Sequence, residues 1–353
     1  MTSGYEQLYR ELQRRMGPAG DLAPGNQDTY ARYYDGLRWD RERRSLHASV
    51  LEQFQARCAG LPRDGRAVLM TAGAPGAGKG TAQGTLSRLQ GQDTELGRAL
   101  AEAHGVDLNQ YVALDPDQFK VTIFEHGGLP QLNAEAMRLP FGRELSPSEM
   151  ASLIHRESAD LQDQFERWAR GEGYNLLYDA TLKNEVKNTR LLKDLELGGY
   201  DQRVILSVEV PLEHCLQQNR TRWELGRKEF EQGSNNYGGR MVPEAMIKDL
   251  YKQSTTGRGY SIGRENAERL ADNGLATALI TTDRGSFPQA APTTTPHQAA
   301  TFQQGDTRLS IAAAGRLRSA QGTVARTTTP TQTTAPQVPQ VPRQTPPAPG
   351  RTR

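Results

Sequence analysis

The sequence predicts an α/β fold, a parallel sheet with helices on both faces, and three observations predict it. Five short apolar runs, 66–72, 111–114, 174–178, 203–210 and 276–280, are each separated from the next by a stretch of helical periodicity. Strands joined in that way lie parallel and are buried on both faces. The first run opens onto Gly73-Ala74-Pro75-Gly76-Ala77-Gly78-Lys79-Gly80-Thr81, after which the chain continues as a helix to about Gln90. Beyond Gly285 the composition turns to Pro, Thr, Gln and Ala, which cannot bury enough apolar surface to offset ordering entropy. The 353 residues thus divide into a helical N-terminal extension (1–62), the α/β domain (63–285) and a disordered Pro/Thr-rich tail (286–353).

In the extension, Leu46, Val50, Leu51, Phe54 and Cys58 recur at helical spacing after the basic run Arg38 to Arg44. This predicts an amphipathic helix packed on the domain, as a structural extension or as an inhibitory segment. A second helix is marked by Ser146, Pro147 and Glu149, the pattern of a capping box with proline at the first position. Its apolar face is Met150, Ile154, Leu161, Phe165 and Trp168, and Gly171 ends it. Within the tail, a short helix around Arg308 to Arg318 is allowed.

Charge and composition exclude several classes. With 43 Lys+Arg against 41 Asp+Glu the net charge is +2, so no global field favours nucleic acid or an anionic membrane. The two cysteines, Cys58 and Cys215, have no metal-binding spacing and read as reduced thiols of a cytoplasmic protein. No stretch approaches the roughly 18 apolar residues of a membrane span. The six histidines make no HExxH, and neither a G-x-S-x-G elbow nor a His-Arg-Asp loop occurs.

Residues 73–81 match G-x-x-x-x-G-K in the required strand–loop–helix context. Glycines there let backbone N–H groups turn inward around phosphate oxygens, and Lys79 reaches the outer phosphates of a bound ATP. The position after the lysine, where a hydroxyl usually meets Mg²⁺, is Gly80, so Thr81 is the candidate metal ligand. Asp115-Pro116-Asp117 ends the second strand: Asp115 suits an N-cap, which leaves Asp117 as the candidate base for an accepting hydroxyl. Asp179 ends the third strand and is the second Mg²⁺ candidate. Its neighbour Ala180 is not the glutamate that a water-polarising ATPase would place there, so transfer to an acceptor is expected over hydrolysis. Thr181 and Lys183 are candidates for touching that acceptor. Cations that neutralise the moving phosphoryl group are supplied by Arg220, Arg222 and Arg227 after the fourth strand, and by Arg240 in a Gly-rich segment expected to close as a lid.

Taken in order, Gly73 to Lys79, Asp115-Pro116-Asp117, His155-x-Glu157-Ser158, Gly173-Tyr174-Asn175, Asp179-x-Thr181, Gly199-Tyr200, Val210-Pro211 and Arg240-Met241-Val242-Pro243 resemble the zeta toxin family. These are P-loop kinases of bacterial toxin–antitoxin systems, similar to chloramphenicol phosphotransferase and polynucleotide kinase. The resemblance runs from about Ala67 to Asp283. It implies phosphorylation of a sugar hydroxyl of UDP-N-acetylglucosamine, with ATP and Mg²⁺ as cofactors and toxicity through cell-wall synthesis. It further implies Lys79 on the ATP phosphates, Asp117 as base, Arg222 or Arg220 with Arg240 as clamps, and Thr181 near the acceptor. An acidic residue on the helix before the third strand contacts the acceptor in the family; Asp163 has that spacing, with Glu157 and Glu166 as rivals. A small antitoxin that blocks the ATP site is implied as partner. The chain departs from the pattern at Gly80, in the insertion 124–145 and in its tail. Two rival readings stand beside this one. The first is a kinase for another acceptor: NAD, a nucleotide, a nucleic-acid end or an antibiotic. The second is an ATP-binding regulatory protein without turnover.

Overall fold

The computed structural model describes residues 4–313, apart from 26, 64–65, 105–106, 286, 288–298 and 305–306. Helices α1 (Gly4–Arg15) and α2 (Arg41–Arg57) precede the sheet. Its parallel strands are β1 (Ala67–Ala72), β2 (Tyr111–Leu114), β3 (Asn175–Tyr178), β4 (Gln202–Glu209) and β5 (Ala278–Arg284), each on one of the five apolar runs. Their order is β2-β3-β1-β4-β5, so the chain crosses from one side of β1 to the other between β3 and β4. In open α/β sheets the crevice for ligands lies beyond the strand C-termini at such a crossing. The elements around it are α3 (Lys79–Gln90), α4 (Pro116–Glu125), α5 (His155–Gly171), α6 (Leu212–Glu231), α7 (Glu244–Lys252) and α8 (Ile262–Asp272).

All six residues of β1 are buried, as expected of a central strand covered on both faces. On one face Val68 and Met70 meet Phe119 and Phe165, and Phe54 of α2 stacks on Phe119 with ring centroids 3.8 Å apart. The expected amphipathic helix of the extension thus belongs to this core. On the other face Leu69 and Leu206 pack with Leu86, Ile247 and Ile280.

The sheet runs further than composition implies. Residues 299–304 (β6) and 307–313 (β7) add two strands, β7 antiparallel to β5 and β6 antiparallel to β7. Leu309 and Ile311 alternate with polar neighbours and bury against the β5 side of the sheet, so this stretch has period two rather than the helix expected near 308–318. Residues 314–353, on which the rest of the disordered-tail expectation falls, lie outside the described residues.

The extension also holds a helix the sequence reading did not single out. Leu8, Leu12 and Met16 of the α1 segment, with Leu22, make a third core with Leu139, Leu145, Met150, Leu153, Trp223 and Met241. The marked helix after Ser146 begins as a 3-10 segment, Pro147–Ile154, and continues as α5. Its capping residue Glu149 is fully buried and accepts from Ser146 N (2.9 Å), Trp223 Nε1 (2.9 Å) and Arg227 Nη1 (2.8 Å). Arg227, a candidate clamp by sequence, is therefore a buried structural cation paired with Glu149 and Glu231. Removing one partner of a buried ion pair strands the other charge. Arg227→Met is expected to lower the unfolding free energy by about 3–5 kcal/mol, read from denaturant unfolding.

Candidate active site

The loop between β1 and α3 is built by close approach. Gly73 (φ 147°) lies so near β4 that a Cβ would stand 2.4 Å from Val208 O, and at Gly76 (φ 87°) one would stand 2.6 Å from Cys215 O of α6. Both need glycine for conformation and for space. Ala74 and Ala77 are buried under the loop, Pro75 is half-buried at its rim, and Gly78 (φ 89°) caps α3 without a side-chain bond. The first N–H groups of α3 thus face the crevice side of a Gly-rich turn, the arrangement that binds anions. Lys79 Nζ donates to Gly73 O (3.1 Å) and stands 3.5 Å from Asp179 Oδ1. Gly80 and Thr81 are exposed on the first turn of α3.

Thr71, the one hydroxyl in β1, was not picked out from the sequence, although a lone polar residue in a fully apolar strand was there to be noticed. Its Oγ1 donates to Asp179 Oδ1 (3.0 Å) and accepts from Ala180 N (3.0 Å), fixing the carboxylate at the end of β3. The next residues are held from α8: Asn266 Nδ2 donates to Leu182 O (2.7 Å) and Lys183 O (3.0 Å), and Leu182 is left-handed (φ 51°). Thr181 is half-buried on this pinned loop. Lys183 is exposed and pairs with Asp249 (3.2 Å).

At the end of β2, Asp115 caps α4 by accepting from Asp117 N (2.9 Å). Burial first, then the nearby Asp117 and Asp179 charges, push Asp115 up to about 6. Ionising it in the fold costs about 2–3 kcal/mol against its ordinary value near 3.9, a cost absent below about pH 4 and complete above about pH 6. Asn keeps the cap and carries no charge. Asp115→Asn should therefore melt about 5 °C higher than wild type at pH 8 and at the same temperature at pH 4, by calorimetry.

Asp117 pairs with Lys120 Nζ (2.9 Å) and with Arg240. Burial pushes its carboxyl up, but Lys120 and Arg240 together outweigh this and hold it below the usual carboxylate range. His155, which opens α5, joins this group: desolvation first, then the Lys120 and Arg240 charges, bring it down to about 4, against the pull of Asp117. It is therefore neutral near pH 7.

Arg240 is not carried on a free lid. Gly238 and Gly239 strap the segment across α6, where a Cβ on Gly226 would stand 2.6 Å from Gly239 Cα and one on Gly239 1.9 Å from Trp223 O. Ser148 N donates to Tyr237 O (2.8 Å), Tyr237 OH to Glu125 (3.1 Å) and Asn219 Nδ2 to Val242 O (3.0 Å). Arg222, exposed on α6, lies in the field of Arg240, Asp117, Asp179 and Asp115. Lys79, Asp179, Asp117, Arg240 and Arg222 thus converge beyond the ends of β1, β2 and β3.

Other expected residues are spoken for elsewhere. Arg220 pairs with Glu6 and lies over the Tyr9 ring at 5.2 Å, so α1 occupies it. Glu157 is fully buried: Arg43 donates to both its oxygens (2.6 Å each) and His47 Nε2 meets Oε1 (2.6 Å). It anchors the extension to α5, and its carboxylate is closed off from solvent. Glu166 accepts from Tyr178 OH (2.8 Å) and pairs with Arg170. Asp163 is exposed on α5, near Asp160.

Beside the loop is a cavity of about 250 Å³ that sequence reasoning missed, lined by His214, Gln217, Gln218, Arg284 and Gly285. With its amide turned to satisfy both ends, Gln218 donates to Gly76 O (2.6 Å) and accepts from Arg284 Nη2 (2.6 Å). The Arg-Gly pair at the end of β5 was the only signal of it in the sequence. Among the described residues no cluster of three His, Cys, Asp or Glu side chains forms a metal cage, and no helix is long and apolar enough to cross a membrane.

The fold class is that of the P-loop kinases, with the Gly-rich loop and Lys79 at the head of α3. The chain belongs to the zeta toxin family, whose model matches residues 58–257, more than half its length. Among solved structures it is similar to AvrRxo1-ORF1 in complex with AvrRxo1-ORF2 and sulphate ions: 16% identity, TM-score 0.45, covering 74% of this chain and 69% of that one. The same pair with ATP gives 18% identity, TM-score 0.43, and 70% and 65% coverage. The PezAT chromosomal toxin–antitoxin system of Streptococcus pneumoniae gives 13% identity, TM-score 0.45, and 73% and 86% coverage. No curated protein matches the sequence.

Proposed function

We propose that the chain is an ATP- and Mg²⁺-dependent kinase that transfers the γ-phosphoryl group to a hydroxyl of a small acceptor. The observation that carries this reading is the ion-paired Asp117–Arg240 couple set beyond the strand ends that also hold Lys79 and Asp179. Backbone N–H groups of 73–79 and the Lys79 ammonium hold the ATP phosphates, and the cavity by Gln218 and Arg284 lies where the nucleoside end would extend. Asp179, oriented by Thr71, with Thr81, supplies the oxygens for Mg²⁺, an ion that takes one or two carboxylates together with nucleotide phosphates. When bound, the ion neutralises charge on the phosphate oxygens. Asp117, ionised at neutral pH, accepts the proton of the attacking hydroxyl, and Arg240 and Arg222 face the charge that develops as the phosphoryl group moves.

Family membership supports UDP-N-acetylglucosamine as the acceptor, phosphorylated on its sugar to starve cell-wall synthesis, in a cytoplasmic setting with a small antitoxin as partner. A second reading is another nucleotide-like acceptor such as NAD, and one observation leaves room for it. Glu157, Arg220 and Lys183 are each engaged by other side chains, which leaves Thr181 and Asp163 from the expected acceptor set. Incubation with γ-labelled ATP and a panel of UDP-sugars, NAD, nucleotides, oligonucleotide ends and chloramphenicol separates these. Label on UDP-N-acetylglucosamine alone supports the first reading, label on NAD alone the second, and no label on any acceptor defeats the proposal.

A further inference from the structure

We infer that α1, which lies outside residues 58–257, is a positioning element that sets where Arg240 stands and so governs turnover. The inference rests on the clamp role proposed for Arg240.

The strap bearing Arg240 is held by the bonds of Tyr237 to Ser148 and Glu125 and of Val242 to Asn219, and at two further places. One is the glycine crossing on α6; the other lies four residues beyond Arg240, at the start of α7, and is made by α1. There Gln13 Oε1 accepts from Glu244 N (2.9 Å) and Tyr9 OH donates to Glu244 Oε1 (3.1 Å). Met241, next to Arg240, is buried among Leu8, Leu12 and Met16. The same helix grips α6 through Glu6 on Arg220 and through Tyr5 OH on Glu231 (2.8 Å). Helix α1 therefore bridges α6, which carries Arg222, and α7, into which the Arg240 strap runs.

Gln13 shows what the bridge is for. Its Nε2 is buried without a partner among the described residues, a penalty an apolar side chain of equal size would avoid. What the glutamine adds is one acceptor for a first-turn N–H of α7, a donor that has no partner within its own helix. For packing alone that exchange is close to neutral, one satisfied N–H against one orphaned amide. A guanidinium that must meet a phosphoryl group in one geometry gains from it, because a displacement of about 1 Å can cost on the order of a hundredfold in rate.

Gln13→Met in the full chain tests this. It preserves bulk and removes the orphaned amide, so the melting temperature should stay within about 3 °C of wild type, while kcat falls about tenfold and the KM for ATP changes less than about twofold. In an Arg240→Ala background the same substitution should have no further effect on kcat. The inference is overturned if Gln13→Met leaves kcat unchanged, or lowers it equally in both backgrounds. If Arg240→Ala itself transfers phosphate at the wild-type rate, the clamp role fails and the inference falls with it, which distinguishes the two failures.

Discussion

Asp117→Asn is expected to lower kcat by about 10³-fold or more while ATP affinity stays within about threefold of wild type. The substitution keeps the shape and the place of the side chain at the first turn of α4. It removes the charge that Lys120 and Arg240 hold in its ionised form, and with it the carboxylate that, among the described residues, pairs with Arg240 and has its proton affinity lowered. A base held below the ordinary carboxylate range is available throughout neutral pH, so wild-type turnover should fall only on acidification below that range. The phosphate loop is on a different strand, β1, and its contacts to Lys79 do not involve Asp117. Steady-state rates and calorimetric ATP titration of the variant check both halves. A rate within tenfold of wild type would remove Asp117 from the chemistry.

Arg240→Ala carries the second-largest effect, about 10² to 10³ in kcat, together with a displaced pH profile. Arg240 has two duties that one substitution separates. In the proposed reaction it faces the developing phosphoryl charge, and it is one of the two cations that outweigh the burial of Asp117. Without it, burial counts for more and the Asp117 carboxyl rises, so the acidic limb of log(kcat/KM) against pH moves to higher pH. Arg240→Lys should restore the limb, because it restores the charge, and only part of the rate, because it lacks the planar fork. An unchanged acidic limb in Arg240→Ala would mean that Asp117 is not the group titrating there.

Legibility in the sequence followed the range of the interactions. Strands β1 to β5, the Gly-rich loop and the places of Asp117 and Asp179 in the fold could be read because each is specified locally, by an apolar run, a turn or a strand end. What escaped depends on partners far along the chain. Glu157 carries the right type and spacing for an acceptor contact, yet its partners Arg43 and His47 come from α2, more than a hundred residues earlier. Arg220 and Arg227 sit on the helix expected to supply clamps, and only the fold shows that Glu6 and Glu149 claim them. Residues 307–313 read as part of a Pro/Thr-rich tail because composition hides a strand whose two anchors are Leu309 and Ile311. The segment bearing Arg240 was read as a mobile lid from its glycines, which instead allow the chain to press against α6.

The central claim is that phosphate moves from ATP to a hydroxyl. Phosphorus NMR of the purified full chain with ATP, Mg²⁺ and the labelled acceptor follows that directly. The account predicts ADP and a phosphate monoester of the acceptor appearing together in equal amounts, with both lost in Asp117→Asn. Inorganic phosphate accumulating with ADP, whatever acceptor is present, would contradict it and make the chain a hydrolase.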